Sequence, residues 1–155
     1  MDVHDEPIPE EQFAICQRHL PEACVEVFLE HDDAVLLARR TNKPAQREWF
    51  TPGTRLYKGE ELPAAAHRVA AEELGIEIDL QGQLGVYSHF WETSAVPGVE
   101  SRHTVNVVYR AAPARSGFEI SLDEQHDAYQ FVSEPEPGYH EYMRRYLREA
   151  GYGTE

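Results

Sequence analysis

The chain has 155 residues, of which 41% are hydrophobic, so it is long enough to form one globular domain with a substantial core. Its formal net charge is −14, and such a field repels nucleic acids and anionic membranes, which excludes both as expected partners. No apolar run approaches the roughly 20 residues of a membrane-spanning helix, and the first residues lack the features of a secretion signal. We therefore expect one cytoplasmic domain over residues 1–155, with residues 1–9 flexible at the surface.

The excess of acids predicts a host that lives in high salt. Only Lys43 and Lys58 are lysines, and in about 1 M salt a Debye length of roughly 3 Å screens the repulsion between surface acids. An ordinary acidic cytosolic protein is the alternative. A polyphosphate substrate would need a local concentration of positive charge, and half of the basic residues do cluster in the central third: Arg39, Arg40, Lys43, Arg47, Arg55, Lys58 and Arg68.

The first predicted elements are a short helix and a hairpin. Residues 10–19 can form a helix that ends before the break at Leu20 and Pro21. Residues 25–30 and 34–38 are rich in Val, Leu and Phe, and they flank a polar His-Asp-Asp turn. This pattern predicts two antiparallel strands.

A second helix is predicted over residues 62–74. Pro63 suits its first turn because the fixed φ of proline is helical and its missing donor is not needed there, while Gly75 can take the left-handed conformation that ends a helix. Helical spacing places Ala66, Ala70 and Leu74 in a narrow apolar stripe that can lie against a sheet. Three charged side chains point elsewhere and are free for a ligand: Arg68, Glu72 and Glu73.

The second half of the chain predicts further strands and a terminal helix. Residues 83–92 and 103–111 are long strand candidates, residues 129–132 form a short one, and residues 139–150 show helical spacing of aromatic residues and leucine. The terminal helix would cover the core or, alternatively, form a homodimer contact. Strands on both sides of a central helix predict an α/β fold, with a mixed sheet covered by helices on both faces.

The turn and helix over residues 54–76 resemble the Nudix box, Gly-x5-Glu-x7-Arg-Glu-U-x-Glu-Glu-x-Gly-U, where U is a bulky aliphatic residue. The pattern's glycine and its usual catalytic glutamate are both missing, because Thr54 and Val69 stand at these positions. The residues in register are Glu60, Arg68, Glu72, Glu73, Gly75 and Ile76.

Three flanking segments, residues 40–46, 49–55 and 123–129, are similar to the GDP-mannose mannosyl hydrolase branch of this family, in which the same glutamate is absent. The resemblance extends from roughly residue 13 to residue 129. It implies a Nudix-type α/β/α sandwich with a mixed central β-sheet, and a nucleotide sugar, GDP-mannose in the first instance, as the substrate. Thr104 stands where one family pattern has a tyrosine that contacts the substrate, so a different nucleotide sugar is an alternative.

The same resemblance implies a Mg²⁺ site, with Mn²⁺ as the alternative. The ligands would be the carbonyl of Gly53, the carboxylate of Glu73 and the side-chain oxygen of Gln125, and oxygen donors of this kind suit Mg²⁺. Glu72 would add a ligand or hold a second metal ion. Without the motif, two adjacent glutamates near a helix end would be a solvated surface pair.

The resemblance also assigns the groups that would carry the chemistry. Arg40, Arg55 and Arg68 would hold the diphosphate, since the guanidinium fork pairs well with phosphate oxygens, and salt bridges with the abundant acids are the alternative. His126 would be the general base, because an imidazole can take a proton from water at neutral pH. The residues assigned to the substrate are Glu26, His89 and His103. Glu26 would orient a sugar hydroxyl or the base, and histidines packed within strands are the alternative for the other two.

A valine at position 69 fits attack at carbon, because a base directed at phosphorus is then unnecessary. The expected reaction is attack of water on C1 of mannose, which releases GDP and the sugar with inverted configuration. Two alternatives remain. One is a pyrophosphohydrolase that cleaves between phosphorus atoms, and the other is a sensor that binds a nucleotide sugar without hydrolysing it.

Overall fold

The computed structural model describes residues 1–153, so the predicted domain of residues 1–155 extends two residues beyond the described part. The helices are α1 (Glu10–His19), α2 (Leu62–Val69), which continues as a π-helical turn (Ala70–Leu74), and α3 (Glu141–Glu149). The strands are β1 (Glu22–His31), β2 (Ala34–Arg40), β3 (Trp49–Phe50), β4 (Gly53–Arg55), β5 (Ile78–Trp91), β6 (Arg102–Pro113) and β7 (His126–Val132). None of the helices within residues 1–153 is long and apolar enough to cross a membrane.

The seven strands form a mixed sheet in the order β3-β2-β1-β6-β5, with β4 paired to β1 and β7 paired to β2. Strands β1 and β6 are parallel, from Glu22 opposite Thr104 to Leu29 opposite Ala111. The other pairs, including the predicted hairpin of β1 and β2, are antiparallel. The predicted mixed sheet is therefore confirmed.

Helices cover both faces of this sheet because β1 alternates strictly between two apolar clusters. Val25, Val27 and Leu29 face the cluster built on α2, whereas Phe28 faces the cluster built on α3. Met143, Tyr146 and Leu147 of α3 are fully buried in the second cluster. Within the described residues, the terminal helix thus covers the core, as one of the two sequence interpretations expected.

The second helix begins and ends where the sequence predicts. Leu62 is its first residue, Pro63 lies in the first turn, and Gly75 closes it with a φ of 67°. The predicted stripe of Ala66, Ala70 and Leu74 is completely buried. The final turn is π-helical, a form common at functional sites, and it contains Glu73, which is only 3% exposed.

The N-terminal residues lie over the surface, and their predicted flexibility stays a prediction. Residues 1–9 are exposed, and His4 forms an isolated antiparallel bridge with Lys58 in the loop before α2. The backbone oxygen of Asp2 approaches Gly59 so closely that a Cβ at that position would lie 2.3 Å from it. With its φ of 87°, Gly59 is the residue that allows this contact.

Candidate functional site

Three acidic or imidazole side chains meet where the π-helical end of α2 lies beside the start of β7. The Nδ1 atom of His126 lies 2.8 Å from Oδ1 of Asp123, and its Nε2 atom lies 3.9 Å from Oε1 of Glu73. One potential ligand atom from each residue lies within 4.8 Å of the other two. The side chains of His126 and Glu73 are 1% and 4% exposed, so this cluster is almost closed to solvent.

The electrostatics of this cluster fit a divalent cation. Burial, reinforced by the nearby charge of Asp123, raises the pKa of Glu73 to about 8. The Nε2 atom of His126 is buried and has no hydrogen-bond partner among the described residues. Two neighbouring carboxylates that repel one another would be stabilised by a cation, and their oxygens suit Mg²⁺ or Mn²⁺, while the unsatisfied imidazole nitrogen stays available for another group.

Gly53 connects this cluster to a cleft on the α3 side of the sheet. Its N–H donates a 3.2 Å hydrogen bond to Oε1 of Glu73, and it lies opposite Glu26 in the pairing of β4 with β1. A Cβ at this position would lie 2.6 Å from Cγ of Glu26 and 3.0 Å from the carbonyl oxygen of Val25. Only glycine allows the two strands to approach so closely.

The cleft is lined by polar side chains from strands β1, β2, β4, β5 and β6 and from two loops. Of the residues that the sequence assigns to a site, it contains Glu26, Arg40, Gly53, His89 and Gln125. The side chain of Gln125 is exposed at the rim, and its backbone oxygen accepts a hydrogen bond of 2.9 Å from the N–H of Thr41. The structure therefore brings five residues from distant parts of the chain to one place.

A buried hydrogen-bond chain forms one wall of the cleft. The hydroxyl of Thr51 donates to Oε1 of Glu26 at 2.5 Å, and the hydroxyl of Tyr146 lies 2.9 Å from Oε2 of Glu26 and 3.0 Å from Nε2 of His89. Burial raises the pKa of Glu26 to about 7. Burial, aided by the charges of His140 and Arg145, lowers the pKa of His89 to about 4. Tyr146 thus fixes two of the predicted sugar-binding side chains.

Arg40 is the predicted arginine that faces the cleft. Its Nε donates to the carbonyl oxygen of Pro44 at 2.8 Å, which orients the guanidinium. Neither of its Nη atoms has a hydrogen-bond partner within residues 1–153, so both remain available for a ligand. Burial lowers the pKa of Arg40, and Arg102, whose positive charge lies nearby, lowers it further.

Arg68 does not face the cleft, which corrects its assignment to the diphosphate. Its guanidinium binds both oxygens of Glu60, at 2.7 and 3.0 Å, and donates to the backbone oxygen of Arg55 at 3.0 Å. It also stacks 3.8 Å from the ring centre of Tyr57. Arg68 therefore holds the loop before α2, which is the salt-bridge alternative.

Arg55 lies over Phe13 and Tyr57, outside the lining of the cleft, and its contact with diphosphate stays a prediction.

Two further assignments find no support in the geometry. Glu72 points outward with 56% of its side chain exposed, lies 3.5 Å from Arg68, and takes no part in the cluster around Glu73. His103 alternates with Thr104 along β6, so Thr104 faces the cleft while His103 faces the opposite side and stacks on Phe90 at 4.5 Å. His103 therefore lies outside the cleft that contains His89, and its contact with the sugar stays a prediction.

Three residues of the site were missed by sequence reasoning. Asp123 lies three residues before His126 in the same matched segment, and this spacing could have indicated a partner for the imidazole. Tyr146 was interpreted only as part of the apolar face of α3. Arg102 lines the cleft, yet a single arginine at the start of a strand gives no local signal of its role.

The mixed α/β sandwich and its buried acidic cluster define a Nudix hydrolase. The chain belongs to the Nudix family, because the NUDIX domain model matches residues 18–150. The chain is 35% identical over 140 residues to the low-salt glycan biosynthesis protein Agl8 of Haloferax volcanii, covering 90% of this chain and 88% of that protein. This haloarchaeal relative agrees with the salt-loving host that the acidic composition predicts.

Solved structures agree with this family. A MutT Nudix hydrolase from Burkholderia pseudomallei is 28% identical to this chain and superimposes on it with a TM-score of 0.69. The match covers 84% of this chain and 98% of the Burkholderia chain. The MutT protein from Methanosarcina mazei Go1 is 18% identical, with coverages of 83% and 91% and a TM-score of 0.66. At that identity, the second match supports the fold alone.

Proposed function

We propose that the protein is a divalent-metal-dependent hydrolase of a nucleotide sugar, in which water attacks the anomeric carbon and the nucleoside diphosphate leaves. GDP-mannose is the substrate that the sequence resemblance favours. The observation that carries the proposal is the position of His126 beside Glu73, combined with the burial of Val69 in the core. The usual base position on α2 thus holds an apolar packing residue, and an imidazole stands beside the acidic cluster instead.

His126 has the tautomer that a base requires. Its Nδ1 can bind the carboxylate of Asp123 at 2.8 Å only as an N–H donor, so the neutral ring carries its lone pair on Nε2. That atom has no other partner in the described chain. His126 can therefore accept a proton from water at Nε2 while Asp123 holds the ring and stabilises the imidazolium that forms.

The diphosphate and sugar would occupy the cleft next to this base. Gly53, Glu73 and Gln125 would hold Mg²⁺ or Mn²⁺, and the bound cation would neutralise the charge that develops on the departing diphosphate. The free Nη atoms of Arg40 would bind the same phosphate oxygens. Glu26 and His89, fixed by Tyr146, would bind sugar hydroxyls. The relative named for glycan biosynthesis supports a sugar-containing substrate.

Hydrolysis in ¹⁸O-labelled water tests the proposal. Attack at carbon places the label in the free hexose, and the nucleoside diphosphate leaves unlabelled. Label in a nucleoside monophosphate or a sugar phosphate would overturn attack at carbon and establish a pyrophosphohydrolase. Binding of nucleotide sugars without any product, in Mg²⁺ and high salt, would instead establish a sensor.

A further inference from the structure

We propose that Arg102 selects substrates whose sugar carries a negative charge, such as a carboxylate at C6. This inference rests on the proposed nucleotide-sugar site and names the class of sugar that the site prefers. Arg102 is the first residue of β6 and lies two positions before Thr104 on the same face of the strand. Thr104 is paired with His89, and Arg102 is paired with Trp91, so Arg102 lies at the end of the cleft that is lined by the predicted sugar-binding groups.

The guanidinium of Arg102 is held in a fixed orientation. Its Nε and Nη2 donate to the two oxygens of Glu22, at 2.9 and 3.2 Å, and Gln17 donates to the same carboxylate at 2.8 Å. The side chain of Arg102 is 20% exposed. Its Nη1 has no hydrogen-bond partner within the described residues. Because two of its nitrogens are fixed by Glu22, the third can meet a ligand with little further loss of side-chain entropy.

The two acids nearest to this part of the site already have hydrogen-bond partners, whereas Nη1 of Arg102 has none among the described residues. Glu26 accepts hydrogen bonds from Thr51 and lies within hydrogen-bond distance of Tyr146, and Glu22 is engaged by Gln17 and Arg102. A carboxylate on the sugar could pair with the remaining N–H groups of Arg102 through charge-assisted hydrogen bonds. A neutral hydroxymethyl group could form only a weaker contact there.

The residue next to Arg102 on the cleft face of β6 is small, and a larger groove lies beyond Arg102. Thr104 is small, and its hydroxyl is bound by Nδ2 of Asn106 at 2.9 Å, so it does not fill the space beside Arg102. Arg102 and Trp91 line both the cleft and a neighbouring groove of about 700 Å³ between the end of α1 and strands β5 and β6. A group attached to the sugar can therefore extend past Arg102 into this groove.

A second ion pair on the same two strands provides a matched control. Arg110 binds both oxygens of Glu30, at 2.8 and 2.7 Å, with the same geometry as Arg102 on Glu22. Arg110 lies near the other end of β6 and does not line the cleft. The control pair also binds the hydroxyl of Tyr152 and the backbone oxygen of Ala150, so its removal should disturb the structure at least as much. Only removal of the Arg102 pair should change the choice of sugar.

The test compares GDP-mannose with GDP-mannuronate, which share the base, the diphosphate and the sugar configuration and differ only in the C6 carboxylate. Both kcat/KM and the dissociation constant are measured for each compound at one fixed salt and Mg²⁺ concentration. We expect the unmodified protein to prefer the mannuronate by about tenfold or more, as one charge-assisted contact allows. Arg102→Gln, and the double variant Glu22→Gln/Arg102→Gln, should bring this ratio close to one, whereas Glu30→Gln/Arg110→Gln should keep it.

Two outcomes would overturn the inference. The first is the absence of a preference for the mannuronate in the unmodified protein. The second is an equal loss for both sugars in the Arg102 variants, which would assign Arg102 to the shared diphosphate or to folding alone. Binding separates this inference from the proposed reaction. If the protein binds the mannuronate more tightly through Arg102 but hydrolyses neither compound, the inference is supported and the proposed hydrolysis is overturned. If it hydrolyses both compounds without a preference, the hydrolysis is supported and the inference is overturned.

Discussion

The Nε2 atom of His126 lies 3.9 Å from the carboxylate of Glu73, although one residue begins β7 and the other lies in the π-helical end of α2. Both side chains are almost fully buried, and Asp123 fixes the far side of the imidazole at 2.8 Å. The groups that we propose as metal ligand and proton acceptor are thereby placed side by side, while the side chain of Val69 on the helix is buried in the core.

Replacing His126 with Gln should lower kcat at neutral pH by about 10²- to 10⁴-fold, the usual contribution of a general base. Binding of Mg²⁺ or Mn²⁺ by titration calorimetry should stay close to that of the unmodified protein. His67→Gln, on the exposed side of α2, is the control and should keep full activity. Loss of metal binding in His126→Gln would make the imidazole a ligand, and unchanged kcat would remove it as the base.

Mg²⁺ or Mn²⁺ should stabilise the folded protein, because a cation relieves the repulsion between Glu73 and Asp123. At a metal concentration of 100 times Kd, the gain in free energy of unfolding should be about 2.7 kcal/mol, seen as a higher Tm that a chelator reverses. Glu73→Gln should abolish this shift, and Glu77→Gln, whose side chain is 72% exposed, should preserve it. An equal shift in both variants would place the metal elsewhere.

The contribution of His89 to stability should disappear in acid. Its pKa is lowered from 6.5 to about 4 in the folded protein, so the folded state binds fewer protons than the unfolded state between these values. The stabilisation is therefore complete above about pH 6.5 and is lost as the pH falls towards 4. His89→Gln keeps a group that can bind Tyr146 and does not titrate.

The measurement is the difference in free energy of unfolding between the unmodified protein and His89→Gln, from denaturant titrations at fixed salt. Other titrating groups largely cancel in this difference. As the pH falls from 7 to 4, the variant should become more stable relative to the unmodified protein by about 3 kcal/mol, which follows from the size of the pKa shift. A difference that stays constant over this range would contradict the buried, neutral imidazole.

The Arg68–Glu60 pair should stabilise the folded protein by holding the loop before α2. A double-mutant cycle with Arg68→Met and Glu60→Gln should give a coupling of about 1 to 3 kcal/mol, because the two side chains are only 16% and 6% exposed and form two hydrogen bonds. The control cycle on Arg115 and Glu77, which are 76% and 72% exposed, should give less than about 0.5 kcal/mol. Similar coupling in the two cycles would contradict this structural role of Arg68.

The Tm should rise with KCl up to about 1 M, because salt screens the repulsion within a chain of net charge −14. Sucrose, which stabilises proteins by exclusion from their surface but screens no charge, is the control. A Tm that does not respond to KCl would contradict a halophilic protein. A response to KCl no larger than the response to sucrose would attribute the effect to exclusion instead.

The sequence by itself determined the features that depend on neighbouring residues. Pro63 and Gly75 bound the second helix because φ preferences act within one residue, and the stripe of Ala66, Ala70 and Leu74 is buried because helical spacing places these residues on one face. Two segments rich in Val, Leu and Phe on either side of a polar turn predicted the hairpin of β1 and β2. The motif in register indicated the family through residues that lie close together in the chain.

Only the tertiary structure decided which side chains meet. The register of β6 against β5 places Thr104 beside His89 and turns His103 away, and a shift of one residue would reverse this result. Glu60 captures Arg68 because the loop folds back on α2, and Tyr146 reaches Glu26 because α3 packs on the face of the sheet that carries it. These contacts join distant parts of the chain, so local preferences do not contain them.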